Sequence, residues 1–366
     1  MSGWSNSIGP ICLASIRDLQ WRSRRFFLAA FATGLVFGVA LLMSGVANSF
    51  TVEIRNTVNA LGASSWLVRT GSPGPFTDPV PFLAKDVLAV RKVPGVKAAE
   101  PIFVGGALTD GAITVDVSPS SERDVHVLGV VPGGVGSPPV VSGQPLRRRD
   151  SAVVDESLGV NVGQEIALNG FKFKVVGLVS GVTYFAGGPV AFVTLKAAQQ
   201  LGSDGAPDAT ALLIRGEPER PVAGFTVLTD AQVRTDLGRP TTQAEQTIQL
   251  IEVLLWIVAA GIIGAIVYLS ALERRGDFAV LKAVGTPSSH LFIGLVIQAV
   301  LMALGAAIIG VLIEIPMSGS SSMAVRLAPS NYLAVPIVAV IVGVVASILP
   351  ARRAARVDPA NAFGDK

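Results

Sequence analysis

Side chains suited to covalent or metal chemistry are scarce here: the 366 residues include two histidines, His126 and His290, and one cysteine, Cys12. A His/Cys metal site needs three or four such ligands brought together, and a nucleophile needs a base beside it. The sequence has no G-x-x-x-x-G-K-[ST] loop to cradle phosphates, no H-E-x-x-H and no G-x-S-x-G. No catalytic, cofactor-binding or metal-ligating residue is therefore assigned. His126 alternates with Val125 and Val127 and reads as a solvated strand residue. Arg147, Arg148 and Arg149 form either a grip for an anion or a solvated turn, and the turn is the plainer reading. Glu252 and Glu314 stand at the ends of apolar runs, where a carboxylate reaches water and headgroups; deeper in a bilayer either would be a functional signal.

One charged stretch stands out by position. "ERRGDFAVLKAVGTPSSH", residues 273–290, separates two runs that are almost wholly apolar. Asp277 suits an N-cap, the residues from Phe278 to Val284 fill about two turns, Gly285 suits the position after the C-cap, and Pro287 bars continuation. Such a helix is about 10–12 Å long. Phe278, Leu281 and Val284 recur three apart as an apolar ridge, with Arg274, Arg275 and Lys282 off it. The pattern leaves two readings open: the ridge lies flat on lipid, or it docks into a groove of a partner.

The elements that carry this stretch follow from composition. Half the residues are hydrophobic, 15% are charged and mean hydropathy is +0.57, which is too apolar for an ordinary soluble protein. Four runs, 26–47, 251–271, 291–313 and 332–350, approach the roughly 20 residues a helix needs to cross a bilayer. The first follows Arg22, Arg24 and Arg25 as a secretion signal would, but it is too long for one and reads as a retained span. Basic residues gather in 1–25, 272–290 and 351–366, while the short segment 314–331 holds only Arg326. The positive-inside rule places both termini and the 272–290 loop in the cytoplasm, and 48–250 and 314–331 outside.

The external segment 48–250 is nearly balanced in charge, which argues against nucleic acid as a partner, and it contains no cysteine to form a disulfide. Alternating runs at 112–118, 124–130, 151–157, 171–179 and 190–195 predict strands, and Asn169-Gly170 predicts a hairpin. Helices are expected over 82–93, stopped by Pro94-Gly95, and at "LKAAQQLG" and "TDAQVRTDLG". The Pro/Gly-rich stretch 130–143 reads as a connection between two lobes. The fold class is a membrane protein of four transmembrane α-helices with a large α+β extracytoplasmic domain between spans one and two.

"ERRGDFAVLKAVGTPSSHL" resembles the loop between the second and third spans of the FtsX/MacB-like ABC transporter permeases, E-R-x-x-E-I-G-x-L-K-A-x-G-A. Glu273, Arg274, Leu281, Lys282, Ala283 and Gly285 match, whereas Asp277, Phe278 and Ala279 replace Glu, Ile and Gly. The tail "PARRAARVDPANAF", with Pro350, Arg352, Arg353, Asp358 and Pro359, is similar to that family's ending. Parts of the external segment, such as "VLAVRKVPGVKAAEP", also resemble the family, while 103–140 shows no recognisable pattern. Residues 8–21 resemble its amphipathic helix ahead of the first span.

The resemblance implies a permease subunit, not an enzyme, in a bacterial cytoplasmic membrane. It implies a homodimer of this chain coupled to a separate cytoplasmic ABC ATPase, which binds the ATP and Mg. It also implies that Arg274, Arg275, Asp277, Phe278, Leu281, Lys282, Val284 and Gly285 form the ATPase-coupling helix. Phe278, Leu281 and Val284 would anchor it, and Arg274, Arg275 and Lys282 would orient it. Closure of the ATPases would move the external domain by mechanotransmission, with membrane lipid around the spans. The first expected function is export of a lipid-linked, peptide or amphiphilic cargo, with an external adaptor or lipoprotein as partner. The alternative is signalling that activates an extracytoplasmic cell-wall hydrolase.

Overall fold

The computed structural model describes residues 23–105, 113–116, 122–285, 287–318 and 329–355. The chain divides into two compact units, one drawn from Met1–Asn48 and Glu245–Lys366, the other from Ser49–Ala244. The described α-helices are α1 (Ser23–Leu61), α2 (Val87–Val90), α3 (Leu195–Gly202), α4 (Asp230–Gly238), α5 (Thr242–Glu273), α6 (Arg275–Ala283), α7 (Ser288–Ser318) and α8 (Pro329–Ala355). Residues 1–22, 319–328 and 356–366 lie outside the described residues, and with them Cys12, the expected amphipathic lead-in, most of the 314–331 segment, Asp358 and Pro359.

In the helical unit, length and apolarity set which elements can cross a bilayer. Three stretches qualify among the described residues: Phe26–Leu61, Asp230–Glu273 and Ser288–Pro316. The fourth expected span lies within a helix, α8, whose described apolar part is Ala334–Pro350, about 25 Å of helix. Helix α8 runs through Pro350 to Ala355, so the first residues of the expected tail are helical. Small residues set the packing. A Cβ at Gly310 of α7 would come within 2.8 Å of the Phe37 Cβ and 3.0 Å of the Gly38 nitrogen, both on α1. Gly343 of α8 meets the Val300 backbone of α7 in the same way, at 2.8 Å. Helices in lipid gain little from apolar burial alone, so close backbone approach supplies the attraction. A buried hydrogen bond from Gln298 Nε2 to Ser270 Oγ, 3.3 Å, adds a polar tie between α7 and α5.

The second unit is α+β. Its strands of four or more residues are β1 (Ser65–Arg69), β2 (Val96–Val104), β3 (Ile113–Asp116), β4 (Glu122–Val130), β5 (Ser151–Asp155), β6 (Glu165–Leu168), β7 (Phe171–Val179), β8 (Gly188–Thr194), β9 (Ala211–Gly216) and β10 (Phe225–Leu228). Following the pairings β4–β3–β6–β7–β5–β8 and back to β4 traces a closed ring of six strands. A second, antiparallel sheet runs β2–β9–β1–β10 and joins the ring where Phe103 and Val104 pair with Gly129 and Leu128. Inward-facing Val125, Val127, Val154, Phe173, Val175 and Val193 form one core with Ala197 and Ala198 of α3. Trp66, Ile102, Leu128, Val153, Phe192 and Leu213 belong to another.

All five expected strands are present, and Asn169 (φ 47°) and Gly170 (φ 81°) make the left-handed turn between β6 and β7. Two expectations need correction. The stretch 130–143 does not join two lobes, because β4 and β5 on either side of it belong to the same ring. The helix expected over 82–93 is mostly something else: Phe82–Leu83 pairs with Asp208–Ala209, a 3-10 turn covers Ala84–Asp86, and only Val87–Val90 is α-helical. Pairing across the chain overrides a helical pattern too short to nucleate alone.

Candidate functional site

Helix α6 follows α5 with Arg274 alone between them, at φ −101° and ψ 17°. That one non-helical residue turns the chain, and the Phe278 amide donates back to the Arg274 carbonyl at 3.0 Å. Asp277 stands in the first turn, where its charge complements the helix dipole. The helix starts two residues before the expected cap; the Asp277 carboxylate is 3.7 Å from Arg274 Nε. The Arg274 guanidinium lies 5.6 Å over the ring of Phe278, a cation–π contact. At the other end Gly285 takes φ 95° and donates to the Lys282 carbonyl at 3.0 Å, the expected closure, and α7 begins at Ser288.

The apolar residues of α6 part to two sides. Phe278 is 4% exposed and belongs to the apolar cluster of the spans with Ala271, Leu291 and Leu295; Ala279 is buried as well. Val280 is 54% exposed and Val284 81% exposed, while Lys282 is half-buried. Arg275 and Leu281 lie on the helix, and their side chains are outside the description. Of the apolar face presented to solvent, sequence reasoning found Val284 and missed Val280. Spacing Val280 four residues from Val284 was the available signal. In the C-terminal motif Pro350 is buried inside α8, Arg352 is exposed and Arg353 lies on the same helix.

Three side chains weighed from the sequence sit in surroundings that sequence did not predict. His126 is half-buried rather than solvated, stacked at 4.2 Å on Tyr184 and edge-on to Phe185 at 5.1 Å. Burial pushes the Tyr184 phenol up, and its hydroxyl has no hydrogen-bond partner among the described residues. The hairpin carrying Tyr184 is tied to the end of α1, where Thr57 Oγ1 donates to the Thr183 carbonyl at 2.8 Å and Glu53 accepts from the Gly187 amide at 3.2 Å. Glu314 is 2% exposed, with Oε2 unpartnered among the described residues, so it does not reach solvent as a span-end carboxylate was expected to. Glu252 is half-buried and accepts a hydrogen bond from Trp256, whose ring packs edge-on against Phe37 at 5.0 Å. Arg147, Arg148 and Arg149 are exposed, as a turn requires. No group of three or more metal-ligating side chains occurs among the described residues.

Helices long and apolar enough to cross a bilayer, with a short capped helix between two of them and a mixed sheet unit in the same chain, mark a membrane protein. Residues 26–248 match the MacB-like periplasmic core domain, and residues 250–359 match the FtsX-like permease C-terminal domain. The chain belongs to the FtsX/MacB-like family of ABC transporter permeases. It is 38% identical over 352 residues to an uncharacterised ABC transporter permease of Mycobacterium tuberculosis H37Rv, covering 96% of this chain and 99% of that one. It is 21% identical over 361 residues to a putative hemin transport system permease protein, HrtB, of Staphylococcus epidermidis, covering 95% and 98%. Among solved structures, the periplasmic region of MacB from Actinobacillus actinomycetemcomitans aligns with a TM-score of 0.34 at 10% identity, over 51% of this chain and 98% of that one. The extracellular domain of the ABC-type transporter YknZ from Gram-positive bacteria aligns with a TM-score of 0.32 at 15% identity, over 42% and 84%.

Proposed function

We propose that this chain is the membrane half of a homodimeric exporter and that α6 is where a separate cytoplasmic ATPase, with its ATP and Mg, takes hold of it. The build of α6 carries the reading. Phe278 is sunk into the apolar cluster of the spans, so a force on α6 passes to α5 and α7, while Val280 and Val284 stand outward as an apolar contact that water does not favour. In this reading Arg274, Asp277 and Lys282 set the charge pattern around that contact, and Phe278 holds the helix to its own spans.

Both termini and α6 then lie on the cytoplasmic face of a bacterial cytoplasmic membrane, and Ser49–Ala244 lies outside, where an adaptor or lipoprotein would meet it. Helices α1 (Ser23–Leu61) and α5 (Thr242–Glu273) each run on from apolar residues into residues of that unit, the route that mechanotransmission would use. The hemin-transport name of the staphylococcal relative supports an amphiphilic cargo. The four apolar runs of the sequence carry no cluster of charges near their middles such as an ion path would use.

The test is co-purification of the full chain with its ATPase, alongside Val284→Asp and Leu281→Asp. Val284 is exposed, so its aspartate variant is expected to insert and fold normally yet lose the ATPase and its stimulated hydrolysis. Retained ATPase with unchanged stimulation in both variants would remove α6 as the coupling element. Phe278→Ala serves as the contrast: the cavity it leaves costs about 3–5 kcal/mol, so it lowers stability as well as coupling.

A further inference from the structure

The turn of three arginines is held more firmly than a solvated turn needs to be. Ser151, buried at the head of β5, donates its hydroxyl to the Arg148 carbonyl at 2.6 Å and accepts from the Arg148 amide at 3.2 Å. The Lys174 amide donates to the Asp150 carbonyl at 2.9 Å, which fastens the same turn to β7. Beside it, the start of β7 and one face of α3 complete a cleft of about 710 Å³. That lies within the roughly 300–1,000 Å³ of sites that take small molecules.

Its chemistry is two-sided. Buried Phe173 and Ala197 make an apolar floor, Leu201 lies one turn along α3 from Ala197, and Phe171 stands 48% exposed at the mouth. The polar wall carries Arg148, Arg149 and Lys172 against one acid, Asp150. Asp150 lies 3.4 Å from Arg148, and both are largely exposed, so that pair is screened. Arg149 and Lys172 make no ion pair among the described residues.

We propose that this cleft binds a single-chain amphiphilic anion: an apolar body lies on Phe173, Ala197 and Leu201, and a carboxylate or phosphate head meets Arg149 and Lys172. Guanidinium and ammonium groups recognise such heads by charge-assisted hydrogen bonds. The proposal rests on the transport reading insofar as it names the class of cargo, but the binding needs neither ATP nor the ATPase.

The full chain in nanodiscs of zwitterionic lipid is exposed to a diazirine-bearing dodecanoate, irradiated and mapped by peptide mass spectrometry. Label is expected on peptides covering 148–150, 171–173 and 197–201, displaced by dodecanoate and by dodecyl phosphate but not by dodecyltrimethylammonium or inorganic phosphate. The double variant Arg149→Glu with Lys172→Glu is expected to cut labelling about tenfold at limiting probe, and Arg149→Lys with Lys172→Arg to retain it. Label confined to the spans, equal displacement by the cationic amphiphile, or no response to charge reversal overturns the proposal. Displacement by anionic two-chain phospholipid alone overturns it in favour of a headgroup site. Because labelling is scored without ATP, a failure here leaves α6 and its ATPase untouched, and loss of ATPase coupling leaves the labelling result standing.

Discussion

Single side chains decide local stability where they satisfy backbone groups buried with them. Asp155, 1% exposed at the end of β5, accepts from the Ser157 amide at 3.0 Å and from the Val182 amide at 2.7 Å. Replacing it with alanine strands two donors, one in a buried bond, at about 1–3 kcal/mol each. Asp155→Ala is therefore expected to lower the thermal midpoint of the sheet unit, read from Trp66 fluorescence, by several degrees more than Asp155→Asn, which keeps one acceptor. None of this was legible beforehand: "SAVVDES" announces a strand, but nothing in it points to Val182. Helix α6 gives the same lesson. A repeat of three identified an apolar ridge, yet periodicity alone does not say which part of the ridge the chain covers for itself, and Phe278 is the residue it covers.

At the scale of elements, fit between backbones outweighs side-chain identity. Gly310 is a tight point of the α1–α7 crossing, since any side chain there meets Phe37 and the Gly38 backbone, and backbone does not yield. Gly310→Leu is expected to force the two helices apart at about 1–3 kcal/mol or more, seen as a lower melting midpoint in detergent. Gly305 on the same helix has open space where its Cβ would be, so Gly305→Leu should be close to neutral. The apolar runs and the alternating strands were readable because burial imposes a period. Strands β1, β2, β9 and β10 were not read: "SWLVR" and "ALLIRG" are nearly uniform in polarity, as strands covered on both faces are, and they lack an alternation to detect. The ring itself was out of reach, since parallel pairings such as Val190 with His126 leave no local signal.

For the molecule as a whole, the transport reading requires that movement of the spans reach the sheet unit along helices. Inserting Gly-Gly-Ser-Gly after Gln246, exposed near the start of α5, breaks one of the two continuous connections while leaving α6 intact. The expected result is normal ATPase stimulation with loss of the ATP-driven distance change between spin labels at Glu165 on two copies, measured in a Cys12→Ser background. Retention of that distance change would show that α5 does not carry it.

The ring and the second sheet also bear on how the protein is made. Strand β1 finds its partners only when β9 and β10 have been synthesised, since Trp66 lies opposite Leu213 on one side and Leu228 on the other, about 150 residues later. At the usual pace of translation that is a wait of roughly ten to thirty seconds. Throughout it, Trp66, Leu67 and Val68 of β1 have no native edge to pair with, and wrong pairing is open to them. The growing chain thus passes through its most vulnerable interval before its last two spans exist, which makes prompt completion of the sheet a condition of its assembly.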